Sequence, residues 1–324
     1  MISRRALMIA AGASIVVGPA LADAPAQTPV ERHGKLSVSG NKVVDQHGQP
    51  VTLRGMSLFW SQWGPRFYNA DAIGWLARDW KASVIRVAVA VPSGGYLEHP
   101  ALETAKAERA IDAAIANGLY VIIDWHAHDP EPEAAATFFT HIATKYGHLP
   151  NIIYEPWNEP LEHHTWPVHV KPYHMDLIPR IRAIDPDNLI VAGTPRWSSD
   201  VDVAAADPLP FDNIAYVMHF YATSHGQAYR DKVSLAMQRG AAIFVTEYGT
   251  TEATGDGVID AAETQRWWDF MEENHISYAN WSLNDKREAA AALTPGAPAG
   301  GGWTDAHITR SGKMVRDQLR RVAT

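Results

Sequence analysis

The stretch NIIYEPWNEP, residues 151–160, begins as a buried strand and ends in polar residues. Its first half is apolar and β-branched, which indicates a strand covered on both faces, as in a parallel sheet. Glu155 lies inside this strand, whereas Glu159 follows its end, next to Asn158. Because carboxylates are rarely buried without a partner, the stretch predicts an internal ion pair and a polar site at the strand's carboxyl end.

Seven further apolar runs of similar length are spaced along the chain. They are VTLRGMS (51–57), SVIRVAV (83–89), LYVIIDW (119–125), NLIVAG (188–193), NIAYVMHF (213–220), AAIFVTEY (241–248) and SYANWSL (277–283). Segments with helical spacing of apolar residues separate the runs. Eight strands that alternate with helices predict an α/β protein, a single-domain (β/α)8 TIM barrel. Residues 35–50 predict a small N-terminal hairpin that closes the barrel floor, and no glycine-rich phosphate loop follows the first strand.

The first 22 residues predict an export signal. They have a basic start at Arg4 and Arg5, an apolar run over residues 6–17, and an A-x-A cleavage motif that ends at Ala22. The arginine pair also matches the twin-arginine route. A membrane anchor is the alternative, but the run is short and contains glycine. We therefore expect a signal peptide over 1–22, a barrel over 23–324, and an exported protein, periplasmic or extracellular, that is free of the membrane after cleavage.

The net charge and the absence of cysteine exclude several classes of partner and ligand. The formal net charge is −8, which argues against nucleic acid and anionic membranes as partners. The chain has no cysteine, so it has neither disulfides nor a thiolate metal site. We expect a monomer.

Two carboxylates follow different predicted strands, Glu159 after the fourth and Glu247 at the end of the seventh. In a barrel of this kind the carboxyl ends of the strands build the active site. Glycoside hydrolysis needs one carboxylic acid to protonate the leaving oxygen and one carboxylate as nucleophile or base. Arg86 and Tyr221 are candidates to keep one carboxylate charged, and Asn158 is a candidate to bind the sugar 2-hydroxyl.

Several of the twelve tryptophans also fall at predicted strand ends or in the loops that follow. These are Trp60, Trp63, Trp125, Trp157, Trp197, Trp281 and Trp303. Their rings are either platforms for sugars or parts of the barrel rim.

The ordered motifs of the chain resemble glycoside hydrolase family 5, and within it the bacterial endo-β-1,4-glucanases. The motifs are LRGMS, YVIIDWH, NIIYEPWNEP, DPDNLIVAGTPRWSSDV, MHFYATSHGQ, AAIFVTEYGT, YANWSLNDK and GGWTDAHITRSGKMVR. The resemblance implies a retaining double displacement on a β-glucan polysaccharide, without cofactor or metal. It also implies that the two carboxyl groups are about 5 Å apart.

The resemblance assigns roles residue by residue. Glu159 matches the family's acid/base and Glu247 its nucleophile. Other residues match those around the cleaved bond: Arg86, His126, Asn158, His219, Tyr221 and Trp281. Trp63 and Lys286 resemble contacts on the glycone side, and Trp197 resembles a platform on the aglycone side. The chain departs from close relatives at Phe59 and Ala90, so its glycone subsites cannot be copied from them.

Three alternatives remain open from the sequence. Endo-β-mannanase and xyloglucanase activities occur on the same fold. A metal-dependent barrel hydrolase would use His126 and His128 with His219 or the His163-His164 pair, and would lose activity to a chelator. A non-catalytic glycan-binding barrel would release no reducing ends. For Glu155 we predict a pair with Arg54 or Arg86.

Overall fold

Eight parallel strands form a closed barrel in the computed structural model, which describes residues 27–323. The barrel strands are β3 (Arg54–Leu58), β4 (Val84–Ala90), β5 (Tyr120–His126), β6 (Ile152–Glu155), β7 (Leu189–Ala192), β8 (Ile214–Tyr221), β9 (Ile243–Gly249) and β10 (Ser277–Leu283). They neighbour one another in chain order, and β10 pairs with β3 to close the barrel. The predicted (β/α)8 barrel is confirmed. The predicted signal peptide lies outside the described residues.

A short antiparallel hairpin precedes the barrel, as residues 35–50 predict. Its strands are β1 (Ser37–Ser39) and β2 (Lys42–Val44). Leu36 and Val43 pack with inward residues of the barrel strands, such as Val84 and Phe244, in one buried apolar cluster. The hairpin therefore closes the floor of the barrel.

Most of the helices cover the outside of the barrel. The helices are α1 (Pro29–His33), α2 (Ala70–Arg78), α3 (Pro100–Ala116), α4 (Pro132–Tyr146), α5 (Lys171–Arg182), α6 (Pro195–Ser198), α7 (Val201–Ala206), α8 (Gln227–Gln238), α9 (Ala261–Glu273) and α10 (Arg310–Arg321). Of these, α6 is a single turn in the loop after β7. Side-chain caps fix several starts; Asn69 accepts the Ala72 N–H before α2, and Asp260 accepts the Glu263 N–H before α9. The main apolar core lies between these helices and the strands.

The barrel interior changes from apolar to polar along the strands. Inward residues at the amino ends are apolar, for example Tyr120 and Ile122 of β5 and Ile153 of β6. Two residues further along the same faces stand Asp124 and Glu155, both fully buried. Strand periodicity thus places the charged groups in one layer towards the carboxyl ends of the strands. Within residues 27–323, no helix is both long and apolar enough to cross a membrane.

Candidate active site

Arg86 is the centre of the charged layer. It points inward from β4, is fully buried, and contacts three carboxylates: Asp124 at 2.9 Å, Glu155 at 2.8 Å and Glu247 at 3.0 Å. Burial alone would lower the pKa of the guanidinium, but the three carboxylates raise it above its ordinary value. The prediction for Glu155 is confirmed with Arg86, whereas Arg54 pairs with Glu272 instead. The internal carboxylate is therefore a fixed anion beside the site.

A β-bulge in β9 brings two consecutive side chains into the barrel. Val217 pairs with Phe244 and His219 with Glu247, so β9 has one more residue than β8 over this interval. Strand β9 has the same excess against β10, where Tyr278 pairs with Val245 and Asn280 with Tyr248. Because of the extra residue, Thr246 and Glu247 both point inward, which a regular strand does not allow.

Glu247 is buried between a cation and a hydroxyl. Arg86 Nη1 donates to its Oε2 at 3.0 Å, and the Tyr221 hydroxyl donates to its Oε1 at 2.6 Å. Burial and the nearby charge of Glu159 raise the pKa of Glu247 above 4.5, and His219, Arg86 and Tyr221 oppose this rise. The Tyr221 pKa is itself raised well above 10 by burial, so its hydroxyl keeps its proton.

Glu159 lies between two imidazoles beyond the end of β6. His219 Nδ1 is 2.9 Å from its Oε1, and His128 Nε2 is 3.2 Å from its Oε2. Burial opposes a charge on Glu159, but these two contacts lower its pKa to about 2. Burial likewise opposes a charge on His219, but the carboxylates of Glu155 and Glu159 raise its pKa to about 9.

Hydrogen bonds place a single proton between His219 and Glu159. The Thr246 hydroxyl donates to Glu155 Oε1 at 2.7 Å, because Glu155, paired with Arg86, is an anion that only accepts. Thr246 Oγ1 must then accept from His219 Nε2, 2.8 Å away. This fixes the proton on Nε2, so one further proton lies between His219 Nδ1 and Glu159. In the unliganded protein the shifted pKa values place it on His219.

Asn158 presents an unused donor to the site. Its Oδ1 accepts from Arg86 Nη2 at 2.5 Å, while its Nδ2 is buried and has no partner among the described residues. The adjoining backbone is held closely, since a Cβ on Gly193 would lie 2.0 Å from the Trp157 carbonyl. The amide is therefore fixed through its Oδ1 contact with Arg86, and its N–H groups have no partner in the part of the chain that the structure describes.

His126 and Trp281 form a stacked pair beside the carboxylates. Their ring centroids are 5.0 Å apart at an interplanar angle of 9°, and His126 Nδ1 lies 2.6 Å from Asp124 Oδ2. Burial, reinforced by the charge of Arg86, lowers the pKa of His126 well below 6.5. The imidazole is therefore neutral, and its orientation is set by Asp124.

Two open cavities flank this centre. A cavity of about 490 Å³ reaches from Glu159 and Glu247 to Trp197, whose side chain is 43% exposed. Arg196, Trp197 and Ser198 all have positive φ near 55°, and the Trp197 N–H donates to the Pro160 carbonyl. This uncommon backbone holds the indole at the cavity wall.

The second cavity, of about 290 Å³, includes the other two predicted substrate contacts. Trp63, which is 62% exposed, and Lys286 both line it, together with Phe59. Phe59 in turn packs on Trp281 at 5.4 Å, which connects this cavity to the catalytic layer. The structure thus places Trp63 and Lys286 on one side of the carboxylates and Trp197 on the other.

Some sequence candidates lie elsewhere. Trp125 and Trp157 are fully buried and Trp303 is 3% exposed, so these three fill the core and offer no sugar platform. Trp125 alternates with Asp124 and His126 along β5, so its ring must face the outer helices. The predicted metal set is also divided: His163 and His164 group with Asp129, not with His126 or His219, among the described residues.

Three residues of the site received no role in glycoside hydrolysis from the sequence: Asp124, His128 and Thr246. Asp124 lies two residues before His126 and therefore on the same face of β5, so the alternation of side chains along a strand could have identified it. The H-x-H pattern of His126 and His128 indicated only a metal ligand. Thr246 gave no signal, because a regular strand would turn either it or Glu247 away from the barrel.

A (β/α)8 barrel with two carboxylates at the carboxyl ends of its strands, between aromatic clefts, is typical of glycoside hydrolases. The sequence model described as cellulase (glycosyl hydrolase family 5) matches residues 44–287. Endoglucanase N of Pectobacterium atrosepticum is 46% identical over 298 residues, covering 90% of this chain and 67% of the relative. Endoglucanase Z of Dickeya dadantii is 48% identical over 291 residues, covering 88% and 66%. The chain belongs to glycosyl hydrolase family 5.

Solved structures give the same result. A protein from Cytophaga hutchinsonii superposes with a TM-score of 0.90 at 49% identity, covering 91% of this chain and 97% of that one. The catalytic domain of Thermobifida fusca endoglucanase Cel5A superposes with a TM-score of 0.87 at 38% identity, covering 91% and 100%. The chain spans 58 to 67% of the length of the first three curated relatives.

Proposed function

We propose that the protein is a retaining endo-β-1,4-glucanase that hydrolyses internal bonds of cellulose or related β-glucans. The observation that carries the mechanism is that one oxygen of Glu159 and one of Glu247 lie within 4.8 Å of each other. Retaining enzymes hold their carboxyl groups at about 5 Å, whereas inverting enzymes leave room for a water between them. The clefts on both sides of the carboxylates suit a chain that continues past the cleaved bond.

The relatives support the substrate. The Pectobacterium and Dickeya relatives carry the name endoglucanase, and a variant of the Thermobifida fusca domain was solved with cellotetraose. The exposed faces of Trp63 and Trp197 are suited to stacking on sugar rings, with Lys286 as a hydroxyl donor.

In the first step Glu247 attacks the anomeric carbon as Glu159 gives its proton to the leaving oxygen. This breaks the glycosidic bond and forms a glycosyl ester. In the second step Glu159, now a carboxylate, takes a proton from water. The water oxygen attacks the anomeric carbon and releases Glu247. Arg86 and Tyr221 hold Glu247 ionised for attack, and the free amide of Asn158 binds the sugar 2-hydroxyl.

The shared proton reconciles the low pKa of Glu159 with its role as acid. Without substrate the proton lies on His219, and the pair is His219⁺ and Glu159⁻. Substrate that fills the cleft excludes water and disfavours both charges. The proton then moves along the 2.9 Å contact from His219 Nδ1 to Glu159, without a change in total charge. Binding thus produces the protonated acid.

A substrate panel with product analysis tests the proposal. We expect release of reducing ends and mixed oligosaccharides from carboxymethylcellulose, with slower or no release from β-mannan and xyloglucan. NMR of the first product should show the β-anomer. An initial α-anomer would exclude retention, and preferred cleavage of mannan or xyloglucan would reassign the substrate.

We also infer that residues 1–22 direct export to the periplasm or beyond. The support is the basic, apolar and A-x-A pattern that ends at Ala22. N-terminal sequencing of the exported protein should begin at Asp23, and an exported protein that retains residues 1–22 would contradict cleavage.

A further inference from the structure

A cluster of two histidines and an aspartate lies outside the groups used in the proposed reaction. Asp129 belongs to the loop after β5, and His163 and His164 belong to the loop after β6. One ligand atom from each lies within 4.8 Å of the others. Residues from two loops more than thirty positions apart thus present an oxygen and two imidazoles to one point.

The contacts within the cluster leave ligand atoms available. His164 Nε2 is 3.2 Å from Asp129 Oδ1, and the rings of His163 and His164 are 4.0 Å apart. His164 is 6% exposed and packs on Trp157 at 5.3 Å, yet its Nδ1 has no partner among the described residues. The His164 ring is therefore positioned by packing. Its one polar contact is long, so hydrogen bonds do not occupy both of its nitrogens.

The donor set selects the kind of ion. Two imidazoles and one carboxylate suit Zn²⁺ and neighbouring transition metals, whereas Mg²⁺ and Ca²⁺ prefer oxygen ligands. The Asp129 side chain is 69% exposed, so water can complete the coordination. His169, the next histidine along the chain, accepts the Thr165 N–H at its Nδ1. This nitrogen is therefore used within the turn and is not counted among the ligands.

We propose that Asp129, His163 and His164 form a binding site for a divalent transition metal such as Zn²⁺. The ion ties the loop after β5 to the loop after β6 at the rim of the active site. Asp129 directly follows His128, which contacts Glu159 at 3.2 Å. The metal therefore stabilises the loop that carries one of the partners of Glu159, and takes no part in bond cleavage.

The test must separate this site from the catalytic carboxylates, because Glu159, His219 and Glu247 are also close enough to hold an ion. All measurements are therefore made on a Glu247→Gln background, which removes one ligand of that second group. Zn²⁺ binding is measured by titration calorimetry, and melting temperature is followed with and without Zn²⁺. His163→Ala and Asp129→Asn are the variants, since both positions are exposed and truncation there leaves the core intact. His148→Ala, at an exposed histidine outside the cluster, is the matched control.

Zn²⁺ should bind the background protein and the control with equal affinity and raise their melting temperatures. Each ligand variant should bind Zn²⁺ about a hundredfold more weakly or worse, and its melting temperature should not respond. Equal affinity in either ligand variant would overturn the proposal, as would an equal loss in the control. Absence of binding to the background protein, or an equal rise in melting temperature with Mg²⁺, would also overturn it.

Discussion

Replacing Tyr221 by phenylalanine should move the acid limb of the pH–rate profile. The Tyr221 hydroxyl donates to Glu247 at 2.6 Å, inside a buried site. A hydrogen bond to a charged group contributes about 1.5–3 kcal/mol. Its loss leaves the ionised form of Glu247 less stable, and at about 1.4 kcal/mol per pH unit the pKa of Glu247 rises by roughly one to two. Phenylalanine keeps the ring that packs against Gly249.

The assay is kcat/KM for an unactivated cello-oligosaccharide across acid to alkaline pH, since this quantity reports ionisations of the free enzyme. The acid limb follows ionisation of Glu247, so activity should disappear at a higher pH in Tyr221→Phe. The alkaline limb follows loss of the proton shared by His219 and Glu159. It should stay near the His219 pKa of about 9 in both proteins.

Tyr248→Phe is the matched control for this substitution. Tyr248 follows Glu247 in sequence and is also buried, but its hydroxyl accepts from Trp268 Nε1 at 3.0 Å. An acid limb that is unchanged in Tyr221→Phe, or that moves equally in Tyr248→Phe, would refute the reasoning.

Two further substitutions test the acid and the buried cation. Glu159→Gln should slow hydrolysis of cellulose by a factor of about 100–10,000 but spare glycosylation by an activated aryl glycoside, whose leaving group needs no proton. Glu162→Gln, in the same cavity, is its control, and an equal loss on both substrates would disprove the acid role. Arg86→Met should lower the free energy of unfolding by about 3–5 kcal/mol at neutral pH, because it leaves three buried carboxylates without a cation. Urea denaturation should show this loss shrinking as pH falls, since protonation removes the unpaired charges; Arg54→Met should cost less, and an equal or pH-independent loss would contradict the argument.

The fold follows from patterns that are local in sequence. Each of the eight apolar runs forms a barrel strand. A strand that is buried on both faces is apolar throughout its length, so it can be recognised as a continuous apolar run. Because side chains alternate between the two faces of a strand, Arg86 on β4 and Glu155 on β6 can both be assigned to the barrel interior. Strand order and their opposite charges then predict that they pair. Glu159 and Glu247 could be placed at the strand ends for the same reason.

The remaining features depend on tertiary geometry. The bulge that turns Thr246 and Glu247 inward together leaves no mark in the sequence, because it arises from pairing with both neighbouring strands. The three left-handed residues at 196–198 include neither glycine nor asparagine, the usual signals for that backbone. His163 and His164 meet Asp129 only because adjacent parallel strands bring their following loops together.

The two glutamates of NIIYEPWNEP are linked to opposite nitrogens of the His219 ring, Glu155 through Thr246 and Glu159 directly. Glu155, held as an anion by Arg86, can only accept, and so it orients the Thr246 hydroxyl. That hydroxyl then accepts a hydrogen bond from His219 Nε2, which leaves Nδ1 to share a proton with Glu159. The buried ion pair is therefore more than a support for the barrel. It fixes one proton on His219 Nε2, so the proton for the leaving group is shared between Nδ1 and the proposed acid, Glu159, before substrate binds.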